Sequence, residues 1–194
     1  MAQLSGLSLQ LAINFSEQIK DTDLWSQKSE SLFHVASLLR DQLETHWSKI
    51  LESKGKVLGP PGMGDLQATY FMIVGFAIEN LCKGELIRKN SEDLLNQMLK
   101  KLPKYVSTHD LEFLLEKMKF PFDGDDDREL LARLTRCSIW AGRYPVPANS
   151  DGMANVREFE SGRLLLARFS SEDLGRIDEL VHRVQRHAGR RPGV

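Results

Sequence analysis

Apolar residues recur at three- and four-residue intervals along most of the chain, which is the period of amphipathic α-helices. The first such stretch covers residues 25–53 and carries Arg40 and Asp41 on its polar face. The second, residues 65–88, is apolar over more than half of the helix circumference, and it predicts a central helix packed on several sides. Shorter stretches with the same period surround Leu94, Leu114, Leu131 and Ile177.

Polar residues and helix breakers predict where the shorter helices begin and end. Residues 107–110 and 170–173 have the spacing of capping boxes, in which side chains at a helix start bond to free backbone amides. Three aspartates, at positions 125–127, suit the positive end of the next helix dipole. Gly142 and Pro145 end that helix.

These patterns predict an all-α fold, an up-and-down bundle of about six helices with N- and C-terminal helical extensions. Residues 1–24 form an N-terminal extension, residues 25–147 the bundle, and residues 148–194 a polar loop followed by a helix that packs on or beside the bundle. Residues 55–64, rich in glycine and proline, predict a loop. No strand pattern of comparable strength is present.

Composition narrows the classes of partner. The 194 residues include 26 basic and 27 acidic side chains, so no global field attracts nucleic acid or a membrane, and any such binding must be local. Cys82 and Cys137 lie in apolar helical contexts typical of buried thiols in a reducing compartment. The first residues lack the basic start of a signal peptide, and the apolar run at 70–78 is too short for a bilayer. We expect a cytoplasmic protein without a membrane partner.

Three motifs that suggest ion or phosphate binding are incomplete. The glycines and prolines of residues 59–64 are not followed by the Gly-Lys-Ser/Thr of a phosphate-binding loop, so a linker is the better interpretation. The aspartates of residues 123–127 lack the alternating ligands and terminal glutamate of a calcium loop. Two cysteines alone cannot build a structural zinc site. We therefore expect no cofactor and no metal.

A cluster of aromatic and basic residues follows the fifth helix. Arg136 and Arg143 flank Trp140, and Tyr144 comes next in the sequence. Arginine is favoured near the negative end of a helix and stacks on rings, which gives a purely structural explanation. In the alternative, guanidinium and rings together hold a nucleotide or an RNA base, by phosphate contact and stacking.

Two further sets of polar residues have both a structural and a functional interpretation. Glu79 and Lys83 are spaced as a helical ion pair, yet on so apolar a helix they must reach an edge or find a partner, such as Arg143 or a ligand phosphate. His109 and Asp110 suit helix capping and docking, and a proton-transfer role for His109 would need a second group. The basic C-terminus, residues 183–191, is either a solvated helix end or a nucleic-acid contact.

Taken together, three motifs resemble the HEPN superfamily of nucleotide-binding helical domains. They are Ala77-Ile78-Glu79-Asn80-Leu81-Cys82-Lys83-Gly84, then His109-Asp110-Leu111, then Gly142-Arg143-Tyr144-Pro145, in matching order and spacing. The likeness covers roughly residues 63–147. It implies a four- to five-helix bundle, commonly a homodimer, of the kind found in ribonuclease toxins, prokaryotic defence systems and nucleotide-binding modules, where a cognate protein partner is also expected.

Members of this superfamily that cleave RNA resemble one another in an Arg followed four to six residues later by His on a late helix, and their chemistry needs no metal. The late helix of this chain has no such His. Elsewhere in the chain, Arg40 with His46 and Arg176 with His182 have this spacing. About one such pair is expected by chance in a chain with this many arginines and histidines. The resemblance therefore implies a nucleotide- or RNA-binding module that contacts its ligand through Arg143, Tyr144, Trp140, Lys83, Glu79 and Arg136.

Two alternatives stay open beside this expectation. The first is a metal-independent endoribonuclease in which a histidine, with Arg40 and His46 as the first pair and His109 and His182 as further candidates, takes a proton from the ribose 2′-hydroxyl while an arginine stabilises the phosphate. The second is a helical protein-interaction module in which the whole polar set is structural.

Overall fold

The protein is an all-α helical bundle, as the hydrophobic period predicts. The computed structural model describes residues 14–53, 63–90, 103–144, 156–159, 162–165 and 169–189. Residues 14–20 are helical. The helices that follow are α1 (Thr22–Glu52), α2 (Met63–Lys89), α3 (Lys104–Ser107), α4 (Leu111–Met118), α5 (Gly124–Arg136), which continues as a π-helix (Cys137–Ala141), and α6 (Glu172–His187).

Helix α2 is the centre of the bundle. Fifteen of its 27 residues are buried, because its apolar positions cover most of the circumference. Phe71 and Ile78 lie in one core cluster with Leu43 of α1, Leu114 of α4 and leucines of α5. Each such side chain contributes about 1.5–3 kcal/mol when it is fully buried. This core fixes the elements that carry the candidate site.

Helix α1 packs along α2 through a face that includes small polar residues. Ser26 and Ser29 are buried there together with Ala36 and Leu43. The hydroxyl of Ser29 donates to the Ala77 carbonyl oxygen over 2.9 Å, which satisfies it inside the interface. Small side chains on this face let the two long helices approach closely along the N-terminal half of α1.

The C-terminal end of α5 also packs directly on α2. A Cβ atom added to Gly142 would lie 2.6 Å from the Cβ of Met72 and 2.8 Å from the Ala68 carbonyl oxygen. The Ser138 hydroxyl donates to the Leu134 carbonyl oxygen over 3.0 Å, a bond that competes with the regular helix ladder. The helix then widens, and the amide of Gly142 donates to the Cys137 carbonyl oxygen over 3.0 Å in the five-residue step of a π-helix.

Helix α6 packs on the bundle, because Leu174, Ile177, Leu180 and Val184 belong to the same core cluster as α2 and α5. A buried ionic network adds to this contact. The Arg133 guanidinium donates to both carboxylate oxygens of Asp173, over 2.8 and 2.5 Å, and to Glu129 over 3.1 Å. All three side chains are buried.

Both predicted capping boxes differ from the observed helix starts. Ser107 is the last residue of α3, and the N-cap of α4 is Asp110, whose carboxylate accepts from the Phe113 amide over 3.1 Å. The turn that begins after Pro103 includes Ser107 and removes it from the cap position. At α6 only the reverse half of the box forms, in which Asp173 accepts from the Ser170 amide over 2.7 Å.

A short hairpin, which the sequence pattern did not predict, precedes α6. Its strands β1 (Val156–Phe159) and β2 (Gly162–Leu165) pair antiparallel, with Val156 opposite Leu165. Four residues per strand are too few for an alternating pattern to stand out. The predicted loop at 55–64 lies mostly outside the described residues, as does the predicted helix around Leu94.

Candidate functional site

Four of the polar residues singled out in the sequence meet around Phe76. Lys83 Nζ donates to Glu79 Oε1 over 2.6 Å, and the other carboxylate oxygen of Glu79 lies 2.9 Å from His109 Nδ1. The His109 ring meets the Phe76 ring edge-on at a centroid distance of 6.4 Å, and the Arg143 guanidinium lies 5.8 Å from the centroid of the same ring. We call Phe76, Glu79, Lys83, His109 and Arg143 the Phe76 cluster.

Exposure divides the Phe76 cluster into an inner and an outer part. Lys83 and Glu79 are 4% and 5% exposed, whereas the His109 side chain is 48% exposed. The partner that the buried pair required is therefore His109, and the Glu79 carboxylate bridges Lys83 and that ring. Arg143 lies on the outer side and is exposed.

A second group of aromatic and basic residues lies on and next to the π-helix. The Arg136 guanidinium lies 4.5 Å from the centroid of the Trp140 ring, and the Arg143 guanidinium lies 5.5 Å from that of Tyr144. Tyr144 is 58% exposed, and Trp140 is partly exposed. We call Arg136, Trp140, Arg143 and Tyr144 the Trp140 surface. Its charged groups are stacked on rings.

Arg143 is held by local contacts and, within the part of the chain that the structure describes, has no carboxylate counter-ion. Its Nη2 donates to the Ile139 carbonyl oxygen, one turn earlier in the π-helix. Among the described residues no carboxylate forms an ion pair with Arg143. Burial lowers the pKa of Arg136, although the nearby Cys137 acts in the opposite direction, and its guanidinium remains a cation at neutral pH.

The two Arg/His pairs that fit the ribonuclease spacing do not share a helix face. Arg40 donates to Asp178 over 2.9 Å and to Glu44 over 2.7 Å, while His46 lies six residues further, about 120° around α1. Arg176 and His182 have the same separation on α6, and Arg176 bonds to Glu129 over 2.7 Å. Instead, Arg40 and His182 line one cleft between α1 and α6.

Two residues near these groups carry no signal in the sequence. Phe76 is an apolar residue on an apolar helix, which is typical of a core position, although it lies one helical turn before Glu79. Tyr70 is buried in α2, unlike the partly buried Phe76, and lines the cleft of Arg40 and His182. Both cysteines are buried free thiols, and burial raises the pKa of Cys137 to about 11 despite the opposing effect of Arg136. These thiols are therefore neutral at physiological pH.

No described helix is both long and apolar enough to cross a bilayer. Within the part of the chain that the structure describes, no three His, Cys, Asp or Glu side chains are arranged to hold a metal ion. Comparison of the chain with protein-family models, with curated proteins and with solved structures returns no match.

Proposed function

We propose that the chain is a HEPN-like module that binds a nucleotide or single-stranded RNA at the Trp140 surface. The observation that carries this proposal is the placement of two guanidinium groups on partly exposed rings, with Arg143 lacking a carboxylate partner among the described residues. Guanidinium groups bind phosphate oxygens through paired hydrogen bonds, and aromatic faces stack on bases of any sequence. Arg143 contacts phosphate in this proposal, and Tyr144 or Trp140 stacks on a base.

The Phe76 cluster is joined to this surface through Arg143, which lies against the rings of both Phe76 and Tyr144. Because Lys83 and Glu79 are buried and bonded to each other, they act by fixing His109, and His109 and Arg143 then contact the same ring of Phe76. Lys83 thus contributes rigidity rather than direct charge. His109 shares the Phe76 ring with Arg143 and is half exposed, so in this proposal its other ring nitrogen bonds to the ligand.

The proposal is tested by fluorescence anisotropy with a labelled ten-nucleotide uridine RNA, titrated in EDTA at several salt concentrations. We expect Tyr144→Ala to weaken binding by about 5- to 150-fold, the range for a lost base stack. Arg143→Ala should weaken binding and reduce the salt slope by about 0.7, the value for one lost phosphate contact on a single strand. A gel of the RNA after titration separates binding from cleavage.

The matched control is Arg88→Ala, which removes an exposed arginine, paired with Glu85, at the end of α2. It should leave the affinity for RNA unchanged. If Arg143→Ala and Tyr144→Ala bind the RNA and adenosine nucleotides as tightly as the wild type, the Trp140 surface is not a binding site. The structural interpretation of the stacked arginines would then stand.

The resemblance also implies a homodimer, and we include this in the proposal. Ile139, on the π-helix that carries the proposed site, exposes apolar surface at 47% and is a candidate dimer contact. Light scattering coupled to size exclusion should give twice the chain mass of 22.0 kDa. A single-chain mass at micromolar concentration would remove the dimer from the proposal without affecting the RNA titration.

A further inference from the structure

A cleft with a volume of about 430 Å³ lies between α1, α2 and α6, and it involves none of the residues of the Trp140 surface. Its inner wall is apolar and includes Phe33, Val74 and Ile177. Binding sites for small molecules have volumes of about 300–1,000 Å³ and combine such walls with a few polar groups. The cleft therefore has the size and the lining of a small-molecule site.

Tyr70 is a largely buried residue that lines this cleft. It is 2% exposed, and its hydroxyl, which forms no hydrogen bond with the residues that the structure describes, is not cut off from solvent. Tyrosine hydroxyls at such positions usually have a hydrogen-bond partner, and here the cleft is where one can bind. Burial, followed by the nearby Asp178 carboxylate, raises the pKa of Tyr70, while Arg40 opposes this effect. The hydroxyl is thus neutral and can donate a hydrogen bond to a ligand in the cleft.

The charged groups around the cleft disfavour an anionic ligand. Arg40 is its cationic group, and both sides of its guanidinium are already bound, over 2.8 Å to Asp178 and over 2.7 Å to Glu44. These three side chains together carry a net negative charge. His34 and His182 add two imidazoles that line the cleft and can donate or accept one hydrogen bond each when neutral.

We propose that this cleft binds an uncharged, largely apolar small molecule that presents a carbonyl, hydroxyl or ring nitrogen to the Tyr70 hydroxyl. The apolar body of the ligand contacts Phe33 and Ile177, and its second polar group lies near the two imidazoles. This site is independent of RNA binding at the Trp140 surface, because the two are lined by different residues.

Two naphthalene dyes of similar size test the site on the whole chain. We expect the neutral dye to bind and the anionic dye to bind much more weakly. The neutral ketone 6-propionyl-2-(dimethylamino)naphthalene should bind in a saturable one-to-one manner, with a blue-shifted emission. The sulfonate 1-anilinonaphthalene-8-sulfonate should bind at least about tenfold more weakly, because the cleft has no cation free to meet its charge. Equal affinity for the two dyes, or no saturable binding of the ketone, would overturn the proposal.

Tyr70→Phe removes the hydroxyl alone, and we expect it to weaken binding of the ketone by about three- to tenfold, the effect of one hydrogen bond. Tyr105→Phe makes the same change on α3, outside the cleft, and should leave the dye affinity unchanged. If the two variants bind the ketone equally, Tyr70 does not contact the ligand. Unfolding in urea checks that Tyr70→Phe folds, and its RNA affinity should equal that of the wild type, which separates this site from the proposed function.

Discussion

At the scale of single residues, burial decides how strongly the protein depends on an ion pair. Glu79 and Lys83 have the spacing of an ordinary surface ion pair, which stabilises a helix by about 0.2–0.5 kcal/mol. Both side chains are in fact buried, and a buried ion costs several kcal/mol unless its partner is well placed. The two oxygens of Glu79 serve separate partners, Lys83 and His109. Glu79 thereby joins α2 to the start of α4.

Replacement of Glu79 by Gln should therefore destabilise the protein strongly. The substitution leaves the Lys83 ammonium buried without a counter-charge, and we expect the free energy of unfolding to fall by about 3–5 kcal/mol. The double variant Glu79→Leu/Lys83→Met removes both charges and should recover most of this loss. Urea unfolding measures each value. A loss below about 1 kcal/mol for Glu79→Gln would show that water reaches the pair.

Replacement of His109 by Ala should destabilise the protein much less than replacement of Glu79 by Gln. The His109 side chain is half exposed, so its contact with Glu79 is screened and should contribute no more than about 1 kcal/mol to stability. Unfolding of His109→Ala in urea under the same conditions gives this value. A loss as large as that of Glu79→Gln would mean that His109 is needed to keep the buried pair together.

At the scale of elements, the sequence predicts the long helices but not their local distortions. Helix α2 is predictable because apolar residues cover most of its circumference, and α1 because its apolar residues recur at three- and four-residue intervals, although Val35, Leu38 and Leu51 are exposed. In the π-helix, Ser138 lies so close to Gly75 of α2 that a Cβ at position 75 would clash with its hydroxyl, a contact between distant residues that no local pattern contains. The candidate sites are also only partly predictable from the sequence. Arg143 and Tyr144 are recognisable as polar and aromatic residues after a helix, whereas Phe76 and Tyr70 occur among the apolar residues of α2 and give no signal.

The close contact at Gly142 gives a prediction for the π-helix. In Gly142→Ala the new methyl group meets the Met72 side chain and the Ala68 backbone, which cannot move aside, so we expect a loss of about 1–3 kcal/mol. Arg143 is the next residue, and RNA affinity should fall as well. Gly175→Ala is the control, since its methyl group meets nothing within 4 Å and should stabilise α6 by up to about 1 kcal/mol.

At the scale of the whole molecule, α6 completes the core and forms one wall of the cleft. Its apolar face would be expected to hold it in place, yet the side chain of Arg133 adds a specific connection from α5. The Arg133 guanidinium also lies 5.1 Å from the Phe71 ring and 5.9 Å from the Phe169 ring, so it is surrounded by core residues on several sides. Arg133 thus adds to the contacts that position α6, among them the Arg176–Glu129 and Arg183–Asp127 ion pairs, and so helps to shape the cleft.

Arg133→Leu should loosen α6 more than it loosens the rest of the bundle. Asp173 and Glu129 would remain buried, with Arg176 as a partial replacement at 2.7 Å from Glu129, so we expect a loss of about 3 kcal/mol. Arg88→Leu, at an exposed ion pair, should cost less than about 1 kcal/mol. Hydrogen exchange localises the effect: α6 amides should exchange faster than those of α2, and binding of the neutral dye should weaken while the affinity of the Trp140 surface for RNA is kept. Equal acceleration in both helices would show that α6 opens only when the whole bundle unfolds.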